Sequence, residues 1–123
     1  MSEELKITDK DTFLLFEYSG PFSALAGKKT VDAMLQECVA RGHTRILLDC
    51  RGITGDMRVM DRFEVADYGQ VLGTSIAKMA MVTTEAMQEP DGFVENVARN
   101  RGVNLTMFTD FDEAVRWLNQ EHS

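Results

Sequence analysis

Apolar residues recur along this chain with two periods, and the alternation of those periods predicts the elements. Glu4–Thr8 alternates polar and apolar, with Leu5 and Ile7 on one side, as a short edge strand does. Asp9–Asp11 reads as a turn, and Phe13–Tyr18 as a dense apolar strand closed by Gly20-Pro21. Val31, Met34, Leu35, Cys38 and Val39 then follow an i, i+3, i+4, i+7, i+8 stripe, with Lys28, Lys29, Asp32, Gln36 and Glu37 on the other side. Ser23 is placed to cap this helix, and Gly42 stands where a left-handed residue ends it.

Ile46, Leu47 and Leu48 form an apolar run without alternation, as a central strand buried on both faces requires. It ends in Asp49-Cys50-Arg51-Gly52, and a polar loop leads to a less regular helix over Val59–Leu72 with Phe63 and Ala66 inward. Ile76–Thr83 is a second central strand. Pro90 opens a helix with the stripe Phe93, Val94, Val97 and Ala98, stopped by Gly102. Val103–Phe108 alternates as a strand nearer the edge. The last helix carries Phe111, Ala114, Val115 and Leu118, with Thr109 and Asp112 as a variant capping box. The order β-β-α-β-α-β-α-β-α predicts an α/β fold: a mostly parallel five-stranded sheet with one antiparallel edge strand and four helices. No linker or repeat interrupts it, so residues 1–123 read as one domain.

Composition narrows the setting. The chain is 44% apolar and 27% charged, as globular domains are. Its formal charge of -7 repels phosphate backbones, and the Arg51, Arg58, Arg62 group is interleaved with Asp49, Asp56, Asp61 and Glu64, so nucleic acid is not an expected partner. No apolar run approaches the ~20 residues of a membrane span, and Met1–Lys10 lacks a signal peptide's apolar segment. Two cysteines, Cys38 and Cys50, read as buried reduced thiols, and a cytoplasmic location is expected.

The familiar catalytic patterns are missing. There is no GxGxxG, no P-loop and no GxSxG, and neither His43 nor His122 belongs to a cluster with metal-ligand spacing, so no cofactor or metal is expected. Cys50 at a strand end invites comparison with a phosphatase nucleophile, but the sixth residue onward is Asp56, whose charge would repel a phosphate.

Attention therefore falls on the rim after the first central strand, since open α/β sheets bind ligands at the carboxyl ends of their strands near a topological switch point. Asp49, Arg51, Thr54, Arg58 and Arg62 lie there, with Thr83 and Thr84 ending the neighbouring strand. Arginines and hydroxyls gathered this way suit a small carboxylate or phosphate. The same arginines also read as a self-contained salt-bridge network, because Asp49, Asp56, Asp61 and Glu64 supply enough carboxylate. Met57, Met60 and Met87 form an apolar rim alongside, suited to an adaptable groove or to filling core gaps.

Element order and local strings together resemble the STAS superfamily (sulfate transporter and anti-sigma factor antagonist), in its SpoIIAA-like branch of stand-alone bacterial proteins. The strings are Ile46–Asp49 with Arg51-Gly52-Ile53-Thr54-Gly55, Asp61-Arg62-Phe63-Glu64, Ala98-Arg99-Asn100-Arg101-Gly102-Val103, and Phe108-Thr109-Asp110 leading to Ala114 and Trp117-Leu118. The resemblance implies a SpoIIAA-type fold. It also implies a phosphorylatable serine at the start of the helix after the first central strand. Gly55–Met60 holds no Ser or Thr, and Thr54 is the nearest hydroxyl without being an aligned match. Part of the branch is likened to CRAL-TRIO lipid-binding domains.

The first expectation is a non-enzymatic binding or regulatory module that holds a protein partner or a small anionic ligand on this rim, with Arg51 and Arg58 in contact. The alternative is a small-molecule or lipid carrier with an apolar pocket under Met57, Met60 and Met87. An enzyme with Asp49 or Glu64 as general base ranks third, because such a base needs burial to raise its pKa. The Glu4–Thr8 edge can pair between chains, which leaves a homodimer open.

Overall fold

In the computed structural model, which describes residues 3–89 and 91–120, the first two apolar stretches form a hairpin. Glu4–Asp9 (β1) pairs antiparallel with Leu14–Pro21 (β2). Asp11 takes φ +70° in the turn, where Asp9 Oδ1 accepts its N–H at 2.9 Å. An aspartate tolerates this left-handed conformation better than most residues. Helix α1 (Ala24–Arg41) starts on Ser23, whose Oγ accepts the Ala26 N–H at 3.0 Å, and ends on Gly42 at φ +72°. Met34 and Cys38 of its stripe are buried, but Val39 is 67% exposed, because the helix rests on the sheet along a narrower line than the sequence stripe.

Strand β3 (Arg45–Thr54) runs six residues past the apolar run that announces it. Its second half pairs with β2 through Ser19↔Gly52, Gly20↔Ile53 and Pro21↔Thr54, after a register shift at which β3 spends three residues (Asp49 to Gly52) on two of β2 (Glu17 to Ser19). Gly52 allows this approach: a Cβ there would lie 2.8 Å from the Tyr18 carbonyl oxygen and 2.9 Å from Ser19 Cβ. Helix α2 (Val59–Tyr68) tightens into a 3₁₀ turn at Gly69–Leu72. Strand β4 (Lys78–Val82), helix α3 (Phe93–Asn100), strand β5 (Leu105–Phe108) and helix α4 (Phe111–Leu118) complete the order. Pro90 and His122 lie outside the described residues. Helix α4 is capped by Asp110, whose Oδ1 accepts the N–H groups of Asp112 and Glu113 at 2.8 and 3.2 Å, and not by the Thr109–Asp112 pair.

The sheet order is β1-β2-β3-β4-β5, with β2 to β5 parallel. Each crossover steps in the same direction, so connections of one hand stack their helices on one face. Leu14, Phe16, Ile46, Leu48 and Met79 point to that face and form a core with Val31, Met34 and Ala98. Helix α4 is not a crossover and covers the other face, where Leu15, Leu47, Ala80 and Val82 meet Ala114 and Leu118. The strand order never reverses, so the switch point that the rim argument invoked does not exist in this sheet. No helix among the described residues is long and apolar enough to cross a membrane.

Candidate functional site

The alternation of β3 divides the predicted rim. Asp49 and Arg51 share the α4 face with Leu47, while Leu48 and Cys50 turn toward the helical layer. Arg51 grips Asp49 in a bidentate pair, Nε to Oδ1 at 3.0 Å and Nη2 to Oδ2 at 2.8 Å, and its own N–H donates to Oδ1 at 3.0 Å. The guanidinium also lies 5.6 Å from the centre of the Phe111 ring. Burial pushes the Asp49 carboxyl up, but the Arg51 hydrogen bonds and charge together outweigh it and hold the group below the usual carboxylate range. A carboxylate saturated in this way is a poor general base.

The linkage has a definite sign. Because the folded pKa of Asp49 lies below its unfolded value near ~3.9, its stabilisation is complete above that pH and is lost as pH falls through the folded value. Asp49→Asn is expected to lower stability near neutral pH by about 1–3 kcal/mol and to flatten the acid limb of the stability curve. Denaturant titrations between about pH 2 and pH 7 check this; curves for the two proteins differing by a constant offset would contradict it.

On the other face, Arg62 serves the helical layer. Its Nε and Nη2 donate to the Met57 carbonyl at 2.9 and 2.7 Å, and its Nη1 meets Glu89 Oε2 at 2.8 Å. Glu89 Oε1 in turn accepts the Val94 N–H at 3.1 Å. One arginine thereby ties the β3–α2 loop to the segment entering α3. Glu89 carried no signal in the sequence, since 27 residues separate it from Arg62. Glu64, which the sequence offered to the arginines, pairs instead with Lys28 at 3.0 Å. Arg58 precedes α2, is exposed, and forms no ion pair among the described residues. Thr54 is exposed at the end of β3, and Thr84 is half-buried beyond β4. His43 Nε2 lies 3.0 Å from Asp9 Oδ1, at the opposite end of the sheet.

Beneath the Arg62–Glu89 tie lies a cavity of about 110 Å³ between the sheet and α1 to α3. Leu48, Cys50, Met79 and Met81 form its floor, and Val31, Met34, Val65 and Ala98 its walls. Met57 and Met87 line it as well, whereas Met60 is 68% exposed, so the three methionines do not form one rim. Gly27 lets α1 come close to α2, since a Cβ there would lie 2.4 Å from Val65 Cγ2. Filling a hollow of this size is worth on the order of 2–3 kcal/mol.

The polar groups of the lining are nearly all spent. Thr30 Oγ1 donates to the Ala26 carbonyl at 3.0 Å and the Tyr18 hydroxyl to the Pro21 carbonyl at 2.6 Å. Burial, with the Asp49 charge, pushes the Cys50 thiol up to about 12, so it stays a neutral thiol. Thr83 continues the Met79, Met81 alternation onto this face and is 3% exposed. Its Oγ1 has no hydrogen-bond partner among the described residues.

A sheet with one antiparallel edge, three helices on one face and one on the other is a layout that solved structures share. The chain is similar to a crystal structure of an anti-sigma factor antagonist from Mycobacterium paratuberculosis, at 14% identity and a TM-score of 0.68, over 97% of this chain and 96% of that one. It is also similar to an uncharacterized protein of the DUF3478 family with a SpoIIAA-like fold from Shewanella loihica PV-4, at 18% identity and a TM-score of 0.60, over 94% and 93%. The fold is SpoIIAA-like. No protein-family model matches the chain, and no curated protein matches it.

Within this SpoIIAA-like fold, the start of α2 stands out by its surface. Val59 and Met60 are 59% and 68% exposed, and Leu25 at the start of α1 is 64% exposed. The contacts Lys28–Glu64 and Asp32–Tyr68 show α1 and α2 in parallel register, which sets Leu25 level with Val59 and Met60 one turn earlier. The sequence flagged Met60 but not Leu25 or Val59, because single apolar residues near helix starts look like ordinary staples. Among the described residues, no group of three His, Cys, Asp or Glu is arranged to hold a metal ion.

Proposed function

We propose that this protein is a non-enzymatic regulatory module that binds a protein partner through the adjoining starts of α1 and α2. The observation that carries the reading is the exposure of Leu25, Val59 and Met60 together at one end of the helical layer. Exposed apolar side chains gathered in one place are what a protein interface buries, whereas Val39 and Val71, exposed elsewhere, stand apart from this end in the chain. Arg58 adds a charge at the edge of that patch, where it can set orientation and on-rate. The likeness in fold to an anti-sigma factor antagonist supports a role in protein–protein regulation. Gly55–Met60 contains no hydroxyl side chain, which speaks against a partner exchange switched by phosphorylation at the helix start. An anion site formed by Arg51, Arg58 and Arg62 is less well supported, because Asp49 and Glu89 already engage two of the three.

Leu25→Glu with Met60→Glu tests the reading. Both positions are exposed, so the melting temperature should stay within a few degrees of the parent. Affinity capture from the native lysate is expected to recover a protein with the parent and to lose it with the double variant. Equal recovery with both would place the contact elsewhere.

A further inference from the structure

We propose that β1 is a dimerisation edge: a second copy of this chain pairs with it antiparallel about a two-fold axis, and the sheet continues through both copies. The inference does not rest on the partner surface, because Leu25, Val59 and Met60 belong to α1 and α2.

The two edges of the sheet are finished differently. At β5 the outer backbone is sealed by side chains of α3. Glu95 Oε2 accepts the Met107 N–H at 2.9 Å, and Arg99 Nε donates to the Leu105 carbonyl at 2.9 Å. Arg99 Nη2 also donates to Thr106 Oγ1 at 2.8 Å. These two side chains stand where a sixth strand would pair, so that edge is closed to another chain.

The β1 edge has no such cover. It ends the sheet, and β2 is its one strand partner. Among the described residues, no side chain hydrogen-bonds the backbone of Glu4–Asp9. Its six residues pair with β2 in unbroken register and include neither proline nor glycine. A straight open edge of this kind offers its outward N–H and C=O groups to another strand.

Side chains select what pairs there. Leu5 and Ile7 lean on the core of the helical layer, while Glu4 and Lys6 stand exposed on the opposite face. Neither Glu4 nor Lys6 forms an ion pair among the described residues. A lysine on an edge ordinarily discourages pairing. With Glu4 two residues before it, this one becomes self-complementary. A two-fold axis through Leu5 sets Glu4 opposite Lys6 of the second copy, and Lys6 opposite its Glu4. The two Leu5 side chains then meet on the core face. Lys6 already faces Glu17 across the β1–β2 register, so charges alternate along the row Glu17, Lys6, Glu4 through the junction. An axis through Glu4 or through Lys6 would oppose like charges, and one through Ile7 would set Leu5 against Asp9.

Charge reversal tests the pairing. In about 0.15 M salt the formal charge of -7 on each copy is screened beyond about 8 Å. Sedimentation equilibrium of the full chain is then expected to show a monomer–dimer equilibrium below about 1 mM. Glu4→Lys and Lys6→Glu each oppose like charges twice, and each should weaken the dimer about fivefold or more. Both positions are exposed, so the melting temperature of dilute protein should hold within a few degrees. An equimolar mixture of the two variants restores both charge pairs in a mixed dimer, as does the double variant carrying both changes. Each should associate within about threefold of the parent. Three results would overturn the proposal. The first is a parent chain that stays monomeric up to about 1 mM, as it would if the edge took a strand of a different protein. The second is single variants that dimerise as tightly as the parent. The third is a mixture and a double variant that associate no more tightly than the single ones.

Discussion

Truncating Phe16 to alanine is expected to destabilise the protein by about 3–5 kcal/mol, the largest effect of any single change considered for this chain. Phe16 is fully buried at the middle of β2, between Ile7 of β1 and Leu48 of β3. Its ring belongs to the core that α1 covers, so truncation removes both transfer free energy and packing contacts. A domain of this kind holds roughly 5–15 kcal/mol in all, so the variant should retain a reduced margin and melt roughly 10–20 °C lower. Equilibrium unfolding in urea measures it. A loss under about 1 kcal/mol would mean that the neighbouring cavity lets the core close over the gap.

The second large effect is expected at Lys78, which begins β4 and is buried on the α4 side. Its Nζ donates to the carbonyls of Trp117 and Gln120, each at 2.9 Å, and stands 5.0 Å from the centre of the Trp117 ring. The ammonium therefore sits at the C-terminal end of α4, where the helix dipole and the terminal carbonyls favour a cation. Lys78→Ala should cost about 2–4 kcal/mol, from lost charged hydrogen bonds and lost packing of the stem. Lys78→Met keeps most of the stem and should cost about 1–2 kcal/mol less than the alanine variant, which separates the two contributions. Trp117 is the sole tryptophan of the chain, so its fluorescence reports whether α4 loosens first. Unchanged stability in both variants would show that water takes over the carbonyls at no cost.

Lys78 also illustrates why some of the molecule is legible in the sequence and some is not. The strand expected over Ile76–Thr83 forms at Lys78–Val82, legible because its apolar residues lie close together in the chain. That a lysine within it is buried depends on carbonyls at positions 117 and 120, which reach it through the fold. The same contrast holds at the candidate site. Thr83 was singled out for its place at a strand end. That its hydroxyl is buried with no hydrogen-bond partner among the described residues follows from the packing around it, which no short stretch of sequence contains.

The sequence by itself determined the element types, their order and the fold class, since helical and strand periods are local properties. The stripe through Val31, Met34 and Cys38, the Ser23 cap and the Gly42 stop are each set within a few residues. Tertiary structure decided three things that no short window contains. Pairing with β2 extended β3 to Thr54, and the contacts of Arg51 with Asp49 and with the Phe111 ring set that pair on the α4 side, which depends on a residue 60 positions further along the chain. The unreversed strand order put three helices on one face and removed the switch point. The partner of Arg62 came from Glu89, 27 residues away, because ion pairs are chosen by distance in space and not along the chain.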